Sequence, residues 1–160
     1  MTGVQTCALP ILFGLQAALA WLIAAPVAVA VNSGTGLGPL DLLGAALALF
    51  GIAFESLADA QLARFRSAPG NADRVLDSGL WRYTRHPNYF GEFCVWWGFF
   101  AIALGAGGWW TVFSPLLMTL LLLRVSGVVL LEKDIGERRP AYRDYVARTN
   151  AFFPGPPGEA

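Results

Sequence analysis

LDLLGAALALFGIAFESLADAQL, residues 40–62, is the stretch on which the fold turns. At about 1.5 Å of rise per residue it is long enough, as a helix, to cross a hydrocarbon layer of roughly 30 Å. Its last third departs from that pattern by carrying Glu55, Asp59 and Gln61. Helix positions separated by four, seven and eleven share a face, so Glu55, Asp59, Leu62 and Arg66 form a stripe running towards one membrane surface. Carboxylates inside a membrane are costly and usually serve a function. The stripe is therefore expected to contact a ligand, the alternative being an ion pair that satisfies one helix against another.

Three further apolar runs flank this one. Residues 11–31 are interrupted only by Gln16 and Pro26, and the link NSGTGLGP, residues 32–39, stops one helix and starts the next. Residues 64–86 are a polar connection carrying Arg64, Arg66, Arg74, Arg82 and Arg85. A third run, 88–105, follows Pro87, which suits the first turn of a helix. After the turn GAGG, residues 105–108, a fourth run spans 109–131, with Trp109 and Trp110 placed as interfacial anchors and Arg124 inside it. The expected fold is all-α, a polytopic transmembrane helix bundle with about four spans. Residues 12–155 would form one membrane domain and 156–160 a tail.

The first eleven residues, MTGVQTCALPI, have neither the basic start nor the clean apolar core of a signal peptide. They match the direct translation of a common sequencing-library adapter. Residues 1–11 are accordingly expected to be non-native, with the true N-terminus missing. A parent gene with a different upstream sequence would support this, and the same eleven residues in genomic DNA would refute it.

Composition agrees with a lipid-solvated chain. Of 160 residues 56% are hydrophobic and 14% charged, against about 25% charged in an average soluble domain; the mean hydropathy is +0.53. The formal net charge is zero, yet every Lys and Arg lies at or after Arg64. Basic segments at 64–86 and 132–148 alternate with uncharged links, which puts both on the cytoplasmic side of what is expected to be a bacterial inner membrane. Two cysteines, Cys7 and Cys94, make no framework, and the single His86 has no partner at metal-ligand spacing. No metal site is expected, and no nucleic-acid partner.

GLWRYTRHPNYFGE, residues 79–92, is the densest cluster of hydrogen-bonding side chains, and it enters a helix at Pro87. Arg82 and Arg85 suit phosphate or carboxylate, and the helix start adds free N–H groups and the positive end of its dipole. Asn88 and Glu92, four apart, share a face. The plainer alternative is that His86 and Pro87 cap the helix while the arginines anchor to headgroups. Arg124 can snorkel to the interface or turn inward. The tail, with Glu132, Arg138, Arg139, Tyr142, Arg143 and Tyr145 before Phe152-Phe153-Pro154, fits a solvated amphipathic helix or the lid of a site.

These residues together resemble the steroid 5-alpha reductase superfamily, most closely its bacterial branch. The resemblance runs over about residues 40–155, through Glu55 to Arg66, the fourteen residues 79–92, and RPAYRDY with FFP near the end. A shorter pattern, Arg-His-Pro-x-Tyr-x-Gly, is shared with isoprenylcysteine carboxyl methyltransferases, while Asn88 and Glu92 favour the reductases. The resemblance implies a helical bundle that holds NADPH in a cavity open to the cytoplasm and delivers hydride to an activated C=C bond of a lipid-soluble substrate. It carries cofactor binding onto Asp59, Arg66, Asn88, Glu92, Arg124 and Arg143, with the motif residues Arg82, Arg85, His86 and Tyr89 beside them. The family's substrate-side Glu and Tyr belong to helices before this chain begins, so the chain is expected to be the cofactor half, and the resemblance assigns no catalytic acid within it. After Glu92 the helix continues Phe93, Cys94, Val95 and lacks the second carboxylate of the steroid enzymes, so the substrate need not be a steroid. Two other functions fit the residues: an S-adenosylmethionine-dependent membrane methyltransferase, and a non-catalytic protein binding membrane lipids through its basic loops.

Overall fold

The computed structural model describes residues 3–71, 74–125 and 141–158, and all regular structure among them is helical. The helices are α1 (Gly3–Ile23), α2 (Ala25–Asn32), α3 (Pro39–Ser67), α4 (Pro87–Gly105), α5 (Phe113–Leu120) and α6 (Ala141–Arg148). One-turn 3-10 helices occupy Gly79–Arg82 and Trp109–Val112, and Leu121–Val125 continues α5 as a π-helix.

The stretch quoted above is the interior of α3, 29 residues long. Gly38 enters extended, Pro39 takes the first position, and the Asp41 carboxylate accepts the Gly38 N–H at 2.7 Å, so an acidic group inside an apolar run is used as a cap. The helix outruns its expected end by one turn and a half because Arg64 and Arg66 are good helix formers and suit the negative end of the dipole. It stops where Ala68, held extended before Pro69, leaves helical geometry.

α3 packs against α4 along a seam of small residues. The buried positions are Gly44, Ala48, Gly51 and Ala58 on α3 and Pro87, Gly91, Cys94, Gly98 and Ala103 on α4, all but the last recurring in steps of three, four and seven. A Cβ on Gly44 would lie 2.5 Å from the Gly98 carbonyl oxygen, and one on Gly51 2.5 Å from the Gly91 carbonyl oxygen. The two backbones are thus in contact, which only glycine permits. Gly44 faces Gly98, Gly51 faces Gly91, and Gly105 faces Leu40, so the helices are antiparallel.

The run expected at 11–31 is a broken helix. The segments Pro10–Ile23 and Ala25–Asn32 meet at 45°, because Pro26 has no N–H to give the preceding turn. Ser114 at the start of α5 donates to the Ile23 carbonyl at the break, tying the bend to α5. Trp97 of α4 meets Thr119 of α5 at 3.3 Å, which sets α5 and the π-helix running back beside α4.

The expected four spans reduce to a narrower finding. Among the described residues α3 alone is long and apolar enough to cross a membrane, and the bent pair qualifies only as one unit. α4 has the length, but Asn88, Tyr89 and Glu92 in its first two turns make it less apolar. Trp109–Arg124 is a shorter apolar helix, and residues 126–131 of the fourth run lie outside those described. Only 17% of the most apolar window of α3 is buried, unlike the core helix of a soluble protein; Leu42, Leu43 and Leu49 are each about two-thirds exposed.

Candidate functional site

Antiparallel packing sets the polar last third of α3 beside the first turns of α4, so two segments far apart in sequence share one end of the pair. The loop between them is fastened to α3. The Trp81 indole N–H donates to the Ala58 carbonyl at 3.0 Å, and the Leu80 N–H donates to the Gln61 side-chain oxygen at 2.9 Å. This explains Gln61 within an apolar helix. Gly79 turns the chain there at φ +62°, a conformation that favours glycine, and its open face lets the Gln61 amide approach the loop.

From the other side the same loop is held by the C-terminal segment. The Arg85 N–H donates to the Asn150 carbonyl at 2.8 Å, and the Arg85 guanidinium donates to the carbonyls of Val146 at 3.0 Å and Thr149 at 2.8 Å, where α6 leaves its last carbonyls without helical partners. The Thr84 hydroxyl donates to the Phe152 carbonyl at 2.8 Å, the Tyr145 hydroxyl to the Trp81 carbonyl, and the Gly155 N–H to the Tyr83 carbonyl at 3.1 Å. Phe152 and Phe153 then stack edge-on against Phe90 and Phe93 of α4. Residues 149–158 form a strap across the loop. The described part of the tail, residues 141–158, is a helix followed by this docked strap.

The expected site residues divide accordingly. Glu55, Tyr89 and Glu92 come together, half-buried, beside the α3–α4 seam, with Glu92 near Glu55 and Tyr89 near both Glu92 and the exposed Asp59; Asn88 is half-buried at the start of α4. His86 is buried and its ring lies parallel to that of Tyr89, with centroids 5.6 Å apart, which fixes the direction in which Tyr89 leaves the helix. Arg66, Arg82, Arg124 and Arg143 are exposed. Arg124 sits in the π-helix that follows Thr119, the residue that Trp97 of α4 meets. Arg85 is the residue drawn away, buried in the strap junction.

The arrangement is two half-buried carboxylates and an amide where α3 meets α4, one exposed carboxylate beside them, and exposed guanidinium groups on α3, the loop, the π-helix and α6. Among the described residues no group of three His, Cys, Asp or Glu side chains is arranged to hold a metal ion. Sequence reasoning passed over Thr84, fully buried, and Trp81, whose polar atoms bind backbone on other elements. It also passed over the seam glycines, although Gly44 and Gly51, then Gly91 and Gly98, each repeat at seven residues. Glu132, Arg138 and Arg139 lie outside the described residues.

Residues 1–149 match the family described as "Protein of unknown function (DUF1295)", and the chain belongs to that family, which includes steroid 5-alpha reductase-like proteins. An uncharacterized protein of Schizosaccharomyces pombe is 29% identical over 157 aligned residues, covering 84% of this chain. The chain spans 45% of the length of that relative. No solved structure matches the chain.

Proposed function

We propose that this member of the family is the cofactor-binding part of a membrane-embedded, NADPH-dependent reductase of an activated C=C bond in a lipid-soluble substrate. The observation that carries the reading is the sorting of charge at one end of the helix pair. Glu55, Asn88 and Glu92 are half-buried at that end, while Asp59, one turn after Glu55, is exposed together with Arg66, Arg82, Arg124 and Arg143. A dinucleotide has complementary parts. Its phosphates suit guanidinium groups, and its ribose hydroxyls and carboxamide suit carboxylate and amide acceptors.

NADPH, when bound, would supply the hydride. The chain's own residues then have simpler tasks. Asp59 and Glu92 accept hydrogen bonds from hydroxyl or amide donors, Asn88 offers both donor and acceptor, and the exposed arginines neutralise phosphate charge. Tyr89, held by its stack on His86, lies between the seam carboxylates and the aromatic cluster of α4. The membrane setting rests on the apolar exterior of α3, and on the basic segments gathering at one end. The four-span arrangement with that end cytoplasmic is part of the same proposal.

A second reading has one observation in its favour. Three carboxylates at one end of the helix pair, Glu55, Asp59 and Glu92, also suit a sulfonium or ammonium group, as in S-adenosylmethionine. Equilibrium binding to the purified protein in detergent separates the two. The reductase reading expects micromolar NADPH binding, weakened roughly tenfold or more by both Glu92→Gln and Arg66→Ala, in line with about 1.5–3 kcal/mol for a hydrogen bond to a charged group. Binding of S-adenosylmethionine alone would transfer the protein to the methyltransferases.

A further inference from the structure

Beyond the seam, the strap and the loop enclose a second feature. Asp77, Ser78, Gly79 and Arg82 on the loop side, with Arg148 and Thr149 at the end of α6, line an open cleft of about 560 Å³. That volume falls within the roughly 300–1,000 Å³ of small-ligand sites. Its far wall is fixed by the Gly158 N–H donating to the Arg148 carbonyl at 2.8 Å. Its only ion pair among the described residues joins the Arg148 guanidinium to the Asp77 carboxylate at 2.6 Å.

That pair leaves positive charge in excess, because the lining holds two arginines and one aspartate. Arg148 is 38% exposed and Asp77 49%, so neither is sealed by the contact. A guanidinium has five N–H donors, and one nitrogen directed at Asp77 leaves others available to the cleft. Arg82 and the Ser78 hydroxyl add donors from the opposite wall. Two guanidinium groups lining a solvent-open hollow suit a doubly charged phosphate monoester better than a carboxylate or a neutral sugar. Asp77 then acts as a placeholder that orients Arg148 in the absence of ligand and opposes an arriving phosphate.

We infer that this cleft binds a phosphate monoester. Resting on the reductase reading, that group is the 2′-phosphate that distinguishes NADPH from NADH. The cleft adjoins the cofactor end through Gly79, which packs on Gln61 of α3.

The test is equilibrium binding of NADPH, NADH and 2′,5′-ADP to the full chain in detergent, comparing the unaltered protein with Arg148→Gln and Asp77→Asn. Both substitutions break the same ion pair, so a merely structural role moves them alike. The expected result is NADPH binding at least about tenfold tighter than NADH, that ratio collapsing in Arg148→Gln and holding or widening in Asp77→Asn. Equal NADPH and NADH binding, or the same loss in both variants, overturns the cleft assignment and leaves the reductase reading standing. Binding of 2′,5′-ADP with the expected variant pattern, but no binding of NADPH, supports the cleft and removes the reductase reading. Binding of none of the three probes overturns both.

Discussion

Gly98 shows what single residues decide in this molecule. A Cβ there would lie 2.6 Å from the Gly44 carbonyl oxygen and 2.8 Å from the Ala48 nitrogen, both backbone atoms that cannot swing aside. Gly98→Ala is therefore expected to destabilise the protein by about 1–3 kcal/mol, the usual cost of overpacking, in reversible unfolding in detergent. Gly14 is the opposite case. It is helical with nothing within 4 Å of its added Cβ, so Gly14→Ala is expected to be neutral or to stabilise by up to about 1 kcal/mol. The seven-residue glycine repeats were present in the sequence, but each helix shows only half of the seam, and neither half names its partner. Charge was easier to read. Glu55 and Asp59 stand out in an apolar run, and both lie at the end where Glu92 meets them. Arg85 illustrates the limit: the sequence marks it as an anion donor, and its burial against the α6 carbonyls depends on a strap sixty residues away.

At the scale of elements, the strap and the loop depend on each other. Thr84 is fully buried and its hydroxyl is the partner of the Phe152 carbonyl. Thr84→Val keeps the shape and removes the donor, leaving a buried carbonyl unsatisfied at a cost of roughly 1–3 kcal/mol. Limited proteolysis is expected to cut within 149–158 faster in that variant, while cleavage of the 32–39 link is unchanged. The partly exposed Asp77–Arg148 pair adds no more than about 1 kcal/mol, so Asp77→Asn is expected to leave the unfolding midpoint nearly unmoved. Helix bounds were legible where proline and glycine punctuate the chain, as at Pro39, Pro87 and Gly105. The break at Ala24 follows from Pro26, which the sequence displays, but whether such a proline bends or ends a helix depends on the support it receives, here from Ser114 on α5.

For the whole molecule, an apolar exterior on α3 and two polar ends predict a fixed orientation in a bilayer. Single cysteines introduced at Thr35 and at Ser78 are expected to react with a membrane-impermeant thiol reagent from opposite sides of sealed vesicles. Labelling of both from the same side would contradict the span assigned to α3. The account as a whole claims that the polar end of α3 and α4, closed by the strap, is one cofactor site. Hydrogen–deuterium exchange of the detergent-solubilised protein, with and without saturating NADPH, tests that claim most directly. The account predicts slowed exchange in residues 55–66, 79–92 and 141–158 together, with 32–38 and 105–112 unchanged. Protection confined to 105–112, or no change anywhere at a saturating concentration, would contradict it.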